Sequence, residues 1–422
     1  MNIVHTGINT PFSKLLSTCK NYALGKFVDK LTLTNSIETK GTGFFILSYN
    51  NKSVTKIINI QELQENDAII LEDKNGFVYV FIGIEGVLYF EDIQSEMSLD
   101  KISGTGVLYI SLTPDMVIKN YKFIKNARPD HFSAYVENSI YISGIFLNNL
   151  EVDGKKHNYL NGDKINSYII KINNNDIIEW TKIFNDELSI YDIAYKNDTM
   201  YIVGCYRNSI DIGQIVNGTK IPTMIIAALD KSLNLKWFRK SEQDTRIILD
   251  KKKDYYVRAE NIALSNDGIY ITGTGNMHFF IDKHAISLDV LSPFIVKMSY
   301  DSKILWAKKI DLTPPEEIEI DICPRIIVED FVYISGFCSH LIQYDDKIVT
   351  VDHTGTFIIR IDKDGNNAII KIINGLEYNF SKFIVFREKL TFVGGFKNFI
   401  VVDSIERKGS KHVTFCVIEL IF

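Results

Sequence analysis

The chain has 422 residues, 46% of them hydrophobic and 23% charged, enough apolar material to build a large core without disulfides or a structural metal. Its net charge of −5 excludes the basic balance on which nucleic-acid binding depends, so no nucleic-acid partner is expected. Five cysteines, Cys19, Cys205, Cys323, Cys338 and Cys416, lie scattered without a CxxC spacing, and their odd number points to a reducing compartment.

At the start of the chain, Met1 to Leu24 carries polar residues every few positions and lacks the apolar stretch of a secretory signal. No segment has the 18 or so apolar residues of a membrane span. A cytoplasmic location follows as the expectation, with incorporation into a particle as the variant. Within this start, Asn2 to Thr6 is a short β-compatible segment. Beyond it a short strand ending in glycine recurs along the chain: Tyr22-Ala23-Leu24-Gly25, a weaker copy around Val80 to Gly83, then Tyr141-Ile142-Ser143-Gly144, Tyr201-Ile202-Val203-Gly204, Tyr270-Ile271-Thr272-Gly273, Tyr333-Ile334-Ser335-Gly336 and Thr391-Phe392-Val393-Gly394. The glycines are spaced 58 to 69 residues apart, the scale of a four-stranded repeat rather than a helical one.

Each glycine strand has the same neighbours. An alternating segment closed by a polar turn precedes it, as in Ile193 to Asp198 or Ile262 to Gly268, and the two form a tight hairpin. A variable insert follows, then an apolar strand such as Met224 to Leu229 or Phe294 to Met298, a turn rich in Asn, Asp, Lys and Gly, and a last strand. That last strand carries Trp180, Trp237 or Trp306, each nine residues after Lys171, Ala228 or Lys297. So constant a spacing implies one structural slot. Runs as apolar as Phe294-Ile295-Val296 are those of strands covered on both faces.

Naming the strands A to D, the reading is an all-β, seven-bladed β-propeller of four-stranded antiparallel blades in one domain, 1–422. The blades fall near 7–60, 61–126, 127–184, 185–240, 241–310, 311–373 and 374–422. The seventh lacks a D strand before Phe422, and the segment 2–6 is expected to supply it and close the ring.

A hairpin ending in Tyr-x-x-Gly, a short insert, an apolar strand, an Asp/Lys/Gly turn and a tryptophan strand resemble the SBBP-type bacterial β-propeller repeats. The resemblance is best at Ile262 to Thr274, Phe294 to Ile310 and Ile202 to Trp237, and it extends over nearly the whole chain. It implies the propeller fold and little chemistry, with adhesive or structural roles the usual ones.

In such a propeller the A–B and C–D turns share one face, and the longer B–C and D–A connections share the other. Recognition belongs to the long loops. The longest D–A connection, Lys240 to Arg258, offers Arg246, Lys252, Tyr255 and Tyr256 as partner-binding candidates. The residues before each hairpin would ring the channel mouth: Asp130 and His131, Tyr191 and Asp192, Glu260 and Asn261, Cys323, and Ser381 with Lys382. Such a ring suits a small polar ligand or a cation, or simply ordered water in the channel.

Other motifs dissolve on inspection. Asp362-Lys363-Asp364-Gly365 opens like a calcium loop, but Ile373 stands where the closing glutamate is required. Gly41-Thr42, Gly104-Thr105 and Gly218-Thr219 lack the Gly-Lys-Ser/Thr of a phosphate loop and read as turns entering C strands. The eight histidines show no ligand spacing, and Glu316, Glu317, Glu319 and Asp321 read as a solvated loop. No catalytic motif, metal site or cofactor is expected. The function expected is a non-enzymatic platform for a protein partner or self-assembly, with a propeller that binds or hydrolyses a carbohydrate or small polar ligand at the channel mouth as the alternative.

Overall fold

In the computed structural model every regular element among the described residues is a strand. The backbone is described over residues 2–420 with interruptions, the longest at 33–37, 61–67, 159–164, 247–253, 314–323 and 377–381. Side chains are described mainly over 68–85, 104–158, 165–244, 254–312 and 324–374.

The repeating unit is a four-stranded antiparallel meander. It is plainest at Leu188–Lys196, Thr199–Tyr206, Thr223–Asp230 and Leu235–Lys240, and again at Val257–Leu264, Ile269–Gly275, Ser292–Met298 and Ile304–Lys309. Upstream, the strand Ile118–Val136 serves two meanders. Its first part pairs with Ile102–Leu112 as a D strand, and its second pairs with Ile140–Val152 as an A strand. The propeller-like character of the fold comes from the way these sheets stack. One apolar cluster joins Tyr201, Val203 and Ile226 of one sheet to Ile262, Ile271 and Phe294 of the next, and another joins Tyr270 and Ile295 to Ile334 and Ile359 of the following one. Strands Thr199–Tyr206, Ile269–Gly275 and Ser292–Met298 are buried at every position, which accounts for their unbroken apolar runs. The A strands abut in chain order, the second part of Ile118–Val136 against Leu188–Lys196, that strand against Val257–Leu264, and that in turn against Arg325–Val328.

At Gly204 and Gly273 the glycine of the B strand has a steric cause. The A strand carries a bulge, with the register slipping between Ile190 and Asp192 and again between Ala259 and Asn261. The bulge presses a carbonyl onto the B strand. A Cβ on Gly204 would lie 1.9 Å from the Ser189 oxygen, and one on Gly273 would lie 2.0 Å from the Arg258 oxygen.

The tryptophan slot is equally concrete. Trp180, Trp237 and Trp306 pair directly across the ladder with Lys171, Ala228 and Lys297, and those pair with Tyr141, Tyr201 and Tyr270 of the glycine strand. Tyrosine and tryptophan rings therefore meet over the C-strand residue, at centroid distances of 6.0 to 6.3 Å. Trp237 Nε1 then donates to the Tyr300 carbonyl, and Trp306 Nε1 to the Lys363 carbonyl, both in the C–D turn of the next meander. Beside Trp306, the buried Lys297 ammonium donates to Asp267 at 2.7 Å and to the Lys363 carbonyl at 2.8 Å. Partial burial pushes Asp267 up, but hydrogen bonds from Lys297, Tyr270 and Ser265 outweigh it and hold the carboxyl at about 2.

The C–D turns share one design. Asp230 Oδ1 accepts from the amides of Ser232 and Asn234, and Asp362 Oδ1 accepts from those of Asp364 and Asn366. The fourth turn residue is left-handed, Leu233 at φ 63° and Gly365 at φ 79°. This is a type I turn followed by a left-handed residue, so Asp362 to Gly365 is a hairpin turn.

Two features go beyond the sequence expectation. The B–C inserts fold into small hairpins, such as Ser209–Asp211 with Ile215–Asn217 and Phe279–Ile281 with His284–Ile286. Gly104-Thr105 is not a turn but lies inside the strand Ile102–Leu112, with Gly104 opposite Gly86. The N-terminal strand runs from Asn2 to Thr10 and pairs antiparallel with Val413–Leu420, Asn2 opposite Glu419 and His5 opposite Cys416.

Two outcomes follow. Gly204→Ala drives a methyl into the Ser189 carbonyl and is expected to cost at least ~2 kcal/mol in urea unfolding. Because Asp267 titrates at about 2 when folded against 3.8 when exposed, its contribution is present above pH 3.8 and is lost as pH falls towards 2. The stability difference between the wild type and Asp267→Asn should therefore shrink over that window in thermal melts at pH 5, 4, 3 and 2.

Candidate functional site

Opposite the residue that precedes each glycine, the A strands present a belt of mostly polar side chains. Ser17 faces Leu24, Ser133 faces Ser143, Asp192 faces Val203, Asn261 faces Thr272 and Arg325 faces Ser335. Each reaches for a neighbouring A strand. Ser133 Oγ donates to Asp192 Oδ1 at 2.6 Å, the Ile193 amide to the same oxygen, and the Ile262 amide to Asp192 Oδ2 at 3.0 Å. Asn261 Nδ2 donates to the Pro324 carbonyl, while its Oδ1 accepts from Arg325 Nη1 at 2.9 Å. The Ile70 amide donates to Ser17 Oγ. These five belt side chains surround a cavity of about 290 Å³ at the centre of the A strands. Burial pushes the Asp192 carboxyl up, and the hydrogen bonds and the Arg325 charge offset part of that. Asp192 and Asn261 thus fasten one sheet to the next.

The bulged residues, Tyr191 and Glu260, belong to a second arrangement on the long-loop side. Tyr191 lines a cavity of about 380 Å³ together with Glu187, Cys205, Arg207, Tyr256 and Arg258. The Arg258 guanidinium lies 4.3 Å from the Tyr256 ring centroid and 5.9 Å from that of Tyr191. Its Nε is 3.4 Å from the buried Glu260 carboxylate, whose Oε1 also accepts from Thr274 Oγ1 at 2.6 Å. Burial works against the charge on Arg258, but Glu260 and the two tyrosines outweigh it and the pKa is raised. Burial likewise raises Tyr191 and Cys205, so both stay protonated at neutral pH and Cys205 is a poor nucleophile. The structure therefore brings together Tyr191, Glu260 and Tyr256, which the sequence assigned to two different regions. Arg258 and Arg207 complete the group, although neither stands out in the sequence.

The rest of the long connection is separate from this cavity. Arg246 is exposed, pairs with Asp244 at 2.7 Å and lies over the Phe280 ring. Tyr255 packs against the apolar cluster that includes Val257 and Met277. Lys252, Ser381, Cys323 and the acidic run Glu316, Glu317, Glu319 and Asp321 lie outside the described residues. Asp130, His131 and Lys382 fall on strands, with Lys382 opposite Val393 at the belt register, but their side chains lie outside the described residues too. Among the described residues no group of three or more His, Cys, Asp or Glu is placed to hold a metal ion, and no helix is long and apolar enough to cross a membrane.

Antiparallel sheets stacked through their apolar faces define an all-β, propeller-like fold. No protein-family model and no curated protein matches the chain. Among solved structures it is similar to Kuenenia stuttgartiensis hydrazine synthase, at 11% identity and TM-score 0.30 over 81% of this chain and 92% of the other. It is similar also to the extracellular domains 1–2 of Drosophila semaphorin 1b, at 9% identity and TM-score 0.30 over 85% and 86%, and to Drosophila plexin A in complex with semaphorin 1b, at 10% and 0.20 over 84% and 86%. The fold assignment rests on the chain's own strand pairing.

Asp192→Asn keeps the shape of the belt but turns an amide NH₂ towards the Ile262 N–H or Ser133. It is expected to lower the unfolding free energy by ~1–3 kcal/mol, measured by urea denaturation at neutral pH.

Proposed function

We propose that the chain is a non-enzymatic β-propeller scaffold of seven four-stranded blades, kin to the SBBP-type repeats, with its ring closed by the N-terminal strand. Its blades follow the boundaries expected from the repeat. Closure is supported by the pairing of Asn2–Thr10 with Val413–Leu420 and by the contacts of Phe12–Thr18 with both Ala68–Glu72 and Lys382–Phe386. The scaffold works in a reducing cytoplasm or in a particle assembled there, where Cys19, Cys205 and Cys338 remain thiols.

The observation that carries the binding role is the division of polar groups between the two regions. The belt side chains are consumed in fastening blades, whereas the long-loop side offers Arg246 and the Tyr256–Arg258 stack as presentable contacts for a protein partner or a second copy. A second reading, a small polar ligand, is favoured by the cavity at Tyr191 and Arg258.

Removing residues 1–10 is expected to lower the melting temperature and to produce concentration-dependent association through the exposed edge of Val413–Leu420, followed by sedimentation. An unchanged, monomeric truncation would contradict closure. For the platform, Arg246→Ala with Tyr256→Ala should weaken self-association or partner retention in native mass spectrometry without changing the far-UV spectrum. Turnover of a glycoside or nucleotide panel above background would overturn the non-enzymatic reading.

A further inference from the structure

We propose that the cavity at the ends of Leu188–Lys196 and Val257–Leu264 binds a small zwitterion of the α-amino-acid class, its carboxylate on Arg207 and Arg258 and its ammonium on Glu187. The inference rests on the ligand-binding reading of this region.

The charge pattern carries it. Leu188 faces Tyr206 at the end of the ladder, so Glu187 and Arg207 follow as neighbours on the two strands. Opposite charges so placed ordinarily pair. Here the Glu187 carboxylate is held instead by Asn208 Nδ2 at 2.7 Å, and no ion pair joins it to Arg207 among the described residues. Both side chains line the cavity as separate charges.

Arg258 supplies the rigid cation. Flanked by Tyr256 and Tyr191 and braced by Glu260, it gives up little freedom on meeting a carboxylate, and its planar fork matches one. The two arginines are balanced by Glu187 and Glu260. A phosphate would be opposed by Glu187 and a simple amine by the arginines, whereas a ligand carrying both signs meets both. The volume, about 380 Å³, is near the lower end for ligand cavities and suits an amino acid with a few waters. Ile165 and Pro222 add apolar wall for a side chain.

The test titrates the full chain with each of the twenty α-amino acids, by thermal shift and then calorimetry, alongside glycans and nucleotides. For the tightest amino acid, its analogues lacking the amine or the carboxylate are compared. At least one amino acid should bind saturably, each analogue about tenfold or more weaker, and Arg207→Gln and Glu187→Gln should each weaken binding to a similar extent. Arg207 is exposed, so its substitution should leave the melting temperature of the free protein unchanged and serves as the variant that keeps its fold. The proposal is overturned if the amine-free acid binds as tightly as the amino acid, or if Arg207→Gln binds with wild-type affinity. Stabilisation by a glycan or nucleotide and by no amino acid refutes the zwitterion and leaves the ligand-binding reading standing. No shift with any probe refutes both.

Discussion

The approach of an A-strand carbonyl to the glycine of its B strand is the constraint on which the architecture turns. With the Ser189 and Arg258 oxygens seated where a side chain would otherwise stand, the A strand must bulge, and one residue leaves the ladder. The bulge separates two jobs that a regular strand could not divide. The residue after it, Asp192 or Asn261, reaches the neighbouring A strand, while the bulged residue itself, Tyr191 or Glu260, joins the group around Arg258. One backbone irregularity thus feeds both the fastening of the sheets and the lining of the loop-side cavity.

Stacked apolar faces supply most of the cohesion between sheets, yet apolar contact alone says little about which sheet lies beside which, or at what height. The polar latches supply that information at two places. Along the A strands, Ser133, Asp192, Asn261 and Arg325 hand hydrogen bonds from one A strand to the next. At the D strands, Trp237 and Trp306 reach the carbonyls of the following C–D turns, with Lys297 beside Trp306. Asp192 bears the cost of this arrangement, because burial disfavours its charge. Three donors aimed at one carboxylate, together with the Arg325 charge, make that burial tolerable.

Much of this was legible in the sequence because the repeat makes each slot visible several times. The glycine and the nine-residue tryptophan interval each mark a fixed ladder position, and strand pairing converts them into a carbonyl contact and a ring contact. The B–C hairpins were less visible because they vary in length. Even so, Asp153-Gly154, with both residues at positive φ, is a two-residue hairpin signal of a recognisable kind. The residues near each hairpin were grouped as one channel ring, since sequence position does not reveal a bulge. Alternation fails at the slip, and Tyr191 and Asp192, adjacent in sequence, enter different surroundings. Arg258 escaped for a related reason. It occupies the position whose carbonyl packs on the glycine, and nothing in the repeat reports where the side chain at that position goes.

The electrostatic character of the loop-side cavity follows from the same geometry. Burial at the end of the A strands raises the Tyr191 phenol and the Cys205 thiol, which removes both as anions at neutral pH. Glu260 and the tyrosine faces keep Arg258 charged despite its burial. A cation fixed in this way differs from a lysine on a free loop. Its position is set before any ligand arrives, by the Tyr256 ring beside it and the Glu260 carboxylate at its Nε. The recognition such a group performs is directional, and it is positioned by the bulge that the glycine strand requires.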